Sequence, residues 1–441
     1  MMKHKKVAFA TLGCKLNHYD TEAIRETFET EGYEAIPFTG DADVYVINTC
    51  TVTGATDHQC RQLIRRAVKR KNHGRNVKIV VTGCYAQTDA KEITRLVDGV
   101  DLIAGNNEKD KIAEFLRSEC HPDSTQYHIS DIFAERKIRT LPINRFADYT
   151  RAYLRIQEGC NRRCSYCIIP YARGKSRSET PENVITQAQR LADKGYREIV
   201  LTGTHIGMYG IDLDKKITLH SLLYALHDIT GIHRLRLSSI DPLEFTPELI
   251  EAATTLPKIC RHFHISLQSG DDAILCAMRR PYTTRRFSTL FDSILERAPD
   301  AAIGTDLIVG FPGEDDESSQ RTENFLCALP ITYMHIFPFS PRKGTPAANM
   351  TPVVPEKTKK ERCRRLMQLR TEKITAFRSR FLHKELEILV ENRRWKNTEF
   401  LTGLSGNYIR AFFYGEDSMF GSFVKFIPEK IVDDGMEGRY T

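Results

Sequence analysis

The sequence predicts an α/β protein in three parts: an N-terminal doubly wound parallel sheet, a central partial (β/α)6 barrel and a small C-terminal β-barrel. Three observations carry this. Strand and helix patterns alternate through the first hundred residues. They alternate again for six rounds from Arg151. They then give way to short strand-like runs broken by Gly and Asn. At 441 residues the chain exceeds what one core organises. The expected boundaries are 1–115, an aperiodic linker over 116–145, then 146–375 and 376–441.

In the first part "KVAFATLGC" reads as a strand and "HYDTEAIRETFETEG" as a helix stopped by Gly32. "DVYVINTC" is a second strand, followed by the helix "ATDHQCRQLIRRAVKRKNHG". "NVKIVVTGC" is a third, followed by a shorter helix from about Thr88. Each strand ends on a cysteine, Cys14, Cys50 and Cys84, at spacings of 36 and 34 residues, close to one βα unit. Such sheets bind ligands at the carboxyl ends of their strands, so three thiols are expected at one edge. The barrel strands are "AYLRIQEG", "REIVLTG", "HRLRLSS", "HFHISLQ", "IGTDLIVG" and "TYMHIFPFS". A loop rich in Pro and Gly, "FPFSPRKGTPAANMTPVVPE", leads to a basic helix ending near Leu382, and the small barrel follows.

Composition narrows the setting. Hydrophobic residues make up 41% of the chain, enough for a buried core, and no apolar run reaches the length of a membrane span. "MMKHKKVAFATLGCKLN" reads as a first strand and not as a secretory leader, so a cytoplasmic protein is expected. In that compartment 12 cysteines hold metal or do chemistry more readily than they form disulfides. The net charge of +7 is mild, but its placement is uneven. Seven Lys/Arg and no acid lie between Arg61 and Arg75, and seven more against Glu361 between Lys357 and Arg370. Two polyanion contacts or two solvated helix faces both fit. On the first reading Arg65, Arg66, Lys69 and Arg70 meet nucleic acid. In the tail, Lys/Arg and Asp/Glu balance at ten each, so contact there rests on a local cluster, Arg393, Arg394, Trp395 and Lys396, with partial burial of Trp395 in the small barrel an equal alternative.

"GCNRRCSYC" places Cys160, Cys164 and Cys167 just after the first barrel strand. Zinc sites usually want four ligands, and no second CxxC pair follows nearby. Three clustered thiolates suit a 4Fe–4S cubane with one iron left open, and an open metal position marks catalysis. Cys60, Cys120, Cys260, Cys276, Cys327 and Cys363 fit no motif and read as ordinary core or surface residues. His205 and His264 read as hydrogen-bonded residues and not as ligands.

Cx3Cx2C at this place resembles the radical S-adenosylmethionine (SAM) superfamily. The resemblance implies that SAM chelates the open iron and is cleaved to a 5′-deoxyadenosyl radical. It also implies SAM contacts at Tyr166, at Gly203 and Thr204 of "TGTHIG", at Gln268 of "SLQSG" and at Asp306 of "GTDLIVGFPGE". The whole chain is similar to the methylthiotransferases. "LGCKLNHYDTE", "INTCTVT" and "VTGCYAQ" resemble the motifs by which that family holds a second, auxiliary 4Fe–4S cluster. Cys14, Cys50 and Cys84 are then its ligands, and the tail is a TRAM-like barrel. The implied reaction replaces a C–H bond with a methylthio group, one SAM serving as methyl donor and another as radical source. No side-chain acid or base is implied beyond the cluster ligands. "GCKLN", "TGTHIG", "SSIDP" and "HISLQSG" resemble the branch that modifies carbon 2 of N6-threonylcarbamoyladenosine beside the tRNA anticodon. Branches acting on isopentenyladenosine in tRNA, or on an aspartate of a ribosomal protein, are the alternatives. A non-catalytic RNA-binding iron–sulfur protein is a reading from another class. The expected partners are the tRNA anticodon stem-loop and an electron donor such as flavodoxin or ferredoxin, with a monomeric enzyme and no membrane.

Overall fold

In the computed structural model residues 5–71, 76–117, 124–139, 143–147, 149–213 and 217–441 are described. The first sheet contains β1 (Lys6–Thr11), β2 (Glu34–Ile36), β3 (Val44–Thr49), β4 (Lys78–Gly83), β5 (Leu102–Ala104) and β6 (Gln126–His128). All pair in parallel, in the order β2-β1-β3-β4-β5-β6. Successive residues of a strand point to opposite faces, and both faces are covered. Tyr45, Ile47, Ile79 and Val81 pack against Ile64 of α2 (Gly54–Val68) and Ile93 of α3 (Cys84–Leu96). Val44, Val46 and Val80 pack against Ile24 and Phe28 of α1 (Lys15–Thr30) and Ile112 of α4 (Ile112–Phe115). The sheet is therefore doubly wound.

Two details differ from the sequence reading. Residues 126–128, expected in the linker, pair with β5 and add a sixth strand. A three-residue segment is too short to show a period, and its partner supplies the hydrogen bonds. The third helix opens at Cys84 rather than near Thr88, because Gly83 (φ +98°) turns the chain straight off β4. Asp89 then interrupts it with non-helical φ/ψ. Cys120 lies outside the described residues.

The second sheet is curved. Its strands are β7 (Ala152–Arg155), β10 (Glu198–Thr202), β11 (Arg234–Leu237), β12 (His262–His264), β13 (Ala302–Val309) and β14 (Tyr333–Pro338), with the short antiparallel pair β8 (Gln157–Glu158) and β9 (Arg177–Ser178) between β7 and β10. Single parallel bridges, Leu235 with Ile259 and Ile240 with Ile265, join β7-β10-β11 to β12-β13-β14. "HFHISLQ" yields only a three-residue strand, His262–His264, followed by single parallel bridges from Ile265 to Ile240 and from Gln268 (φ +76°) to Leu307. The helices outside are α5 (Ile169–Arg173), α6 (Pro181–Asp193), α7 (Leu219–His227), α8 (Pro247–Thr255), α9 (Asp272–Ala277), α10 (Thr284–Arg297) and α11 (Asp316–Ala328). Then α12 (Glu356–Ser379) crosses to a closed barrel of β15 (Leu386–Arg394), β16 (Phe400–Ser405), β17 (Arg410–Tyr414), β18 (Phe423–Val432) and β19 (Gly435–Tyr440).

The outer units cap opposite ends of the curved sheet. Arg342, beyond β14, donates to Thr51 at 2.8 Å and pairs with Asp57 at 2.5 Å, so the first sheet sits at the carboxyl ends of the strands. Arg236 donates to the carbonyl oxygens of Ser405 (3.0 Å) and Gly406 (3.1 Å), and Asn407 to that of Asp300 (3.3 Å). The small barrel therefore closes the amino ends. No helix among the described residues is long and apolar enough to cross a membrane.

Candidate metal centres

At the barrel mouth the chain turns at Gly159, with φ +74°. A Cβ there would lie 1.9 Å from the Lys175 carbonyl oxygen, so the turn needs glycine. Cys160, Cys164 and Cys167 follow on an irregular loop leading to α5. The loop is pinned at both ends. Cys160 N–H donates to Gly174 O at 3.0 Å, and Ser165 N–H to Met278 O at 3.1 Å.

Two of the thiols have built polar neighbours. His205 Nδ1 lies 3.4 Å from Cys160 Sγ, and its Nε2 lies 2.7 Å from a Glu244 oxygen. Burial lowers the His205 pKa, but the hydrogen bonds to Cys160 and Glu244 outweigh it and carry it to about 10. Arg280 Nη1 donates to Cys164 Sγ at 3.3 Å while Asp241 (2.6 Å) and the Tyr282 hydroxyl (2.8 Å) fix the guanidinium. Burial, with Cys164 close by, pushes the Cys167 thiol up to about 12. A bound metal displaces that proton.

A cavity of about 150 Å³ opens over these thiols, with Tyr166, Thr204, His205, Ser239, Ser266 and Gln268 among its walls. Of the expected SAM contacts, Tyr166, Thr204 and Gln268 reach it. Gly203 does not: it packs on Gln157, whose carbonyl oxygen would lie 2.6 Å from a Cβ. Asp306 lies deeper in the sheet, held by His264 Nε2 at 2.9 Å and His335 Nδ1 at 3.1 Å. Burial opposes the Asp306 charge, but hydrogen bonds from the two histidines keep the carboxyl well below its usual range.

The second triad is gathered from three strand ends. Cys14 is exposed at the N-terminus of α1, Cys50 is buried just beyond β3, and Cys84 is buried at the first residue of α3. Two glycines draw the loops together. A Cβ on Gly13 (φ +113°) would meet Cys50 Cβ at 2.7 Å, and one on Gly83 would meet Thr49 O at 2.3 Å. Burial and then Cys84, with Cys14 in the same sense, push the Cys50 thiol up to about 12. The amino ends of α1, α2 and α3 all point here, and helix N-termini favour thiolates.

Both triads fit a cubane better than a single ion. Among the described residues, the ligand atoms of His264–Asp306–His335 and of His205–Asp241–Glu244 lie within 4.8 Å of one another, and those of neither cysteine triad do. Four thiolates around one zinc sit about 4 Å apart, whereas a cubane spreads its ligands wider.

The expected nucleic-acid residues fare differently. Arg65, Arg66, Lys69 and Arg70 lie at or beyond the carboxyl end of α2, roughly 16–24 Å along the axis from the end near Cys50. Arg66 and Lys69 are exposed. Arg65 donates to Leu96 O at 3.2 Å, and Arg70 is committed to Thr39 O at 2.9 Å and Asp41 at 3.3 Å. In the tail Arg393 pairs with Glu391 at 3.0 Å and Arg394 with Asp417 at 2.7 Å. Trp395 packs on Phe412 at 4.5 Å, with Lys396 4.8 Å from its ring centre. This cluster is therefore largely self-satisfied. In α12, Lys359 and Arg362 are buried and paired, with Glu356 and with Glu314 and Asp316, which leaves Lys357, Lys360 and Arg364 as the exposed cations of that stretch.

Sequence reasoning missed Arg280, Asp241 and Glu244 and left His205 as structural. His205 lay inside "TGTHIG" and Asp241 inside "SSIDP", but nothing local ties them to cysteines over 40 residues away.

A curved parallel sheet with three thiols at its carboxyl mouth defines a radical SAM protein, and residues 154–326 match the radical SAM superfamily. Residues 6–105 match a family described only as uncharacterized protein family UPF0004. The chain is 44% identical over 426 residues, 95% of its length and 92% of the relative's, to the threonylcarbamoyladenosine tRNA methylthiotransferase MtaB of Bacillus subtilis. To the protein of that name from Aquifex aeolicus it is 44% identical over 390 residues, 88% and 94% of the two chains. The chain belongs to the radical SAM methylthiotransferase family, enzymes that use SAM and carry two 4Fe–4S clusters. In fold it is similar to the radical S-adenosylmethionine methyltransferase TsrM of Kitasatospora setae (TM-score 0.58, 15% identity, 78% of this chain and 77% of that one).

Proposed function

We propose that this enzyme methylthiolates carbon 2 of N6-threonylcarbamoyladenosine next to the anticodon of tRNA. The observation that carries the reading is the pairing of two three-thiol sites, one of them opening on a small cavity, in a chain 44% identical over 88–95% of its length to relatives bearing that activity in their names. When bound, the clusters and SAM supply the radical and the methylated sulfur. The protein's own residues hold and shield them.

In this reading Cys160, Cys164 and Cys167 bind the barrel cluster. The cationic His205 and Arg280 donate to two of those sulfurs and stabilise their thiolate form. Tyr166, Thr204 and Gln268 line the place where SAM lies, and the Gln268 backbone is locked to β13 through Asp306 O (2.8 Å) and Ile308 N–H (2.9 Å). Asp306 serves as a half-buried polar group held by His264 and His335 and not as a wall of the cavity. Cys14, Cys50 and Cys84 bind the auxiliary cluster. Residues 1–115 with the strand at 126–128 form that unit, 146–375 the SAM unit, and 376–441 a TRAM-like barrel that helps seat the anticodon stem-loop. The enzyme acts as a monomer in the cytoplasm, where tRNA and a flavodoxin- or ferredoxin-type electron donor are at hand.

Purified enzyme is assayed on tRNA bearing threonylcarbamoyladenosine, isopentenyladenosine or neither, and on small-subunit ribosomal protein, with mass spectrometry of the nucleosides and of the protein. Product on the first alone is expected. Product on the isopentenyl tRNA alone, or on a ribosomal protein instead of tRNA, rejects the substrate.

A further inference from the structure

The helix that closes the barrel cysteine loop ends in Arg173, and this side chain leaves the barrel. Its guanidinium donates to Asn17 Oδ1 at 2.6 Å and Asp20 Oδ2 at 2.9 Å on α1, and to Glu158 Oε1 at 2.7 Å. Asn17 and Asp20 lie within two turns of Cys14, and Glu158 stands two residues before Cys160. Lys109 Nζ meets the same Asp20 oxygen at 2.5 Å. Arg155 lies 3.5 Å from both Asp20 and Glu158, and Arg177 3.7 Å from Glu158. All seven side chains are buried, Arg173 at 2% exposure and Asp20 at 1%.

Four cations thus share two carboxylates. Two positive charges are left over where little water reaches, and uncompensated buried charge is strongly disfavoured. An anion belongs beside them. Burial works against the Arg173 charge, and Cys84 is the strongest influence in its favour, ahead of Asp20 and Glu158, with Cys14 acting in the same sense. Burial holds the Lys109 pKa below its usual value, and Asp20 and then Cys84 act in favour of its charge. The backbone adds a mechanical link. Gly174, next to Arg173, accepts the Cys160 N–H at 3.0 Å, and Asn106 donates to Ala172 O at 2.6 Å.

We propose that Arg173 is a positioning residue for the anionic group held by Cys14, Cys50 and Cys84. Its charge, with that of Lys109, stabilises the thiolate-bound cluster, and the carbonyls of its neighbours Ala172 and Gly174 tie the first sheet's unit to the barrel cysteine loop. The proposal rests on the two-cluster reading above. Reduction adds one negative charge to a cluster, so buried cations beside it raise its reduction potential, and removing one lowers it.

The test uses full-length protein, reconstituted without oxygen in a Cys160→Ala, Cys164→Ala, Cys167→Ala background so that only the N-terminal cluster remains. Its midpoint potential is read by titration followed by electron paramagnetic resonance. Arg173→Met and Lys109→Met are expected to shift the potential to more negative values. Asp20→Asn, which removes a negative charge from the same network, is expected to shift it to more positive ones. Arg173→Lys should stay near the parent value. Loosened packing moves all variants the same way, so opposed signs separate charge from structure. Unmoved potentials, or one sign throughout, overturn the proposal. Where Arg173→Met loses iron, retention in Arg173→Lys supports the charge role and equal loss in both rejects it. A background protein that binds no iron at all overturns the two-cluster reading, and the proposal with it.

Discussion

Cys160, Cys164 and Cys167 occupy one short loop, whereas Cys14, Cys50 and Cys84 are brought together across 70 residues from three strand ends. The two sites also differ in company. The loop triad has individual partners, His205 and Arg280, on separate sulfurs, and a cavity above it. The distributed triad has no side-chain donor placed on a sulfur among the contacts described. It has two glycines that let the loops touch and a buried excess of cations behind it. A site on one loop is assembled locally and can be tuned sulfur by sulfur. A site made of strand ends depends on sheet register, and its electrostatics come from the body of the protein.

The largest expected effect separates the two triads outright. Changing Cys160, Cys164 and Cys167 to Ala should abolish both 5′-deoxyadenosine and methylthio product. Changing Cys14, Cys50 and Cys84 should abolish only the product. Iron should fall from about eight to about four per chain in either case. Deoxyadenosine persisting without the loop triad would mean that the radical chemistry has been assigned to the wrong site.

Glycine tests the assembly. Gly83→Ala forces a Cβ to 2.3 Å from Thr49 O at positive φ, and Gly159→Ala forces one to 1.9 Å from Lys175 O. Each should cost about 2–4 kcal/mol and loosen its own site. Thermal unfolding and iron assays check this, with Gly83→Ala sparing SAM cleavage and Gly159→Ala impairing it. Both variants impairing SAM cleavage equally would erase the distinction between a local and a distributed site.

Loss of a sulfur's partner should be milder. His205→Ala or Arg280→Met is expected to slow SAM cleavage by about 10–100-fold while iron binding persists. Stopped assays of deoxyadenosine measure it, and a rate unchanged in both would remove them from the site.

Smaller still is the expected effect on RNA. Gln at Arg65, Arg66 and Lys69 should weaken tRNA binding and flatten its salt dependence by at most about three phosphate contacts, with SAM cleavage in the absence of tRNA unaltered. Adding Arg70→Gln should contribute little, because its guanidinium already serves Thr39 and Asp41. Filter binding across salt concentrations decides between these residues and an α2 end that never meets RNA.

The smallest effect concerns pH. The Asp306 carboxyl is held below its usual range by His264 and His335, so the stability it contributes is present above about pH 4 and lost as pH falls further. The melting temperatures of wild type and Asp306→Asn should therefore converge as the pH drops below about 4. A constant gap would show that the two histidines do not set this carboxyl.

By itself the sequence determined the three-part architecture and all six candidate ligands. Strand and helix periods are local properties, and so is a cysteine that ends each of three strands or recurs within one loop. Gly13 and Gly83 stood in plain view beside Cys14 and Cys84, although their reason, a close approach to the second loop, was not local. Tertiary structure alone decided which charges are free. Arg70, Arg362 and Arg394 look like their neighbours in the sequence, yet each spends its guanidinium on distant partners. It also decided what surrounds the sulfurs. Arg280 reaches Cys164 across 116 residues, Arg173 reaches Asp20 across 153, and the strand at 126–128 exists only because β5 offers it an edge. Such contacts are set by where parallel crossovers place strand ends in space, and no periodicity along the chain encodes that.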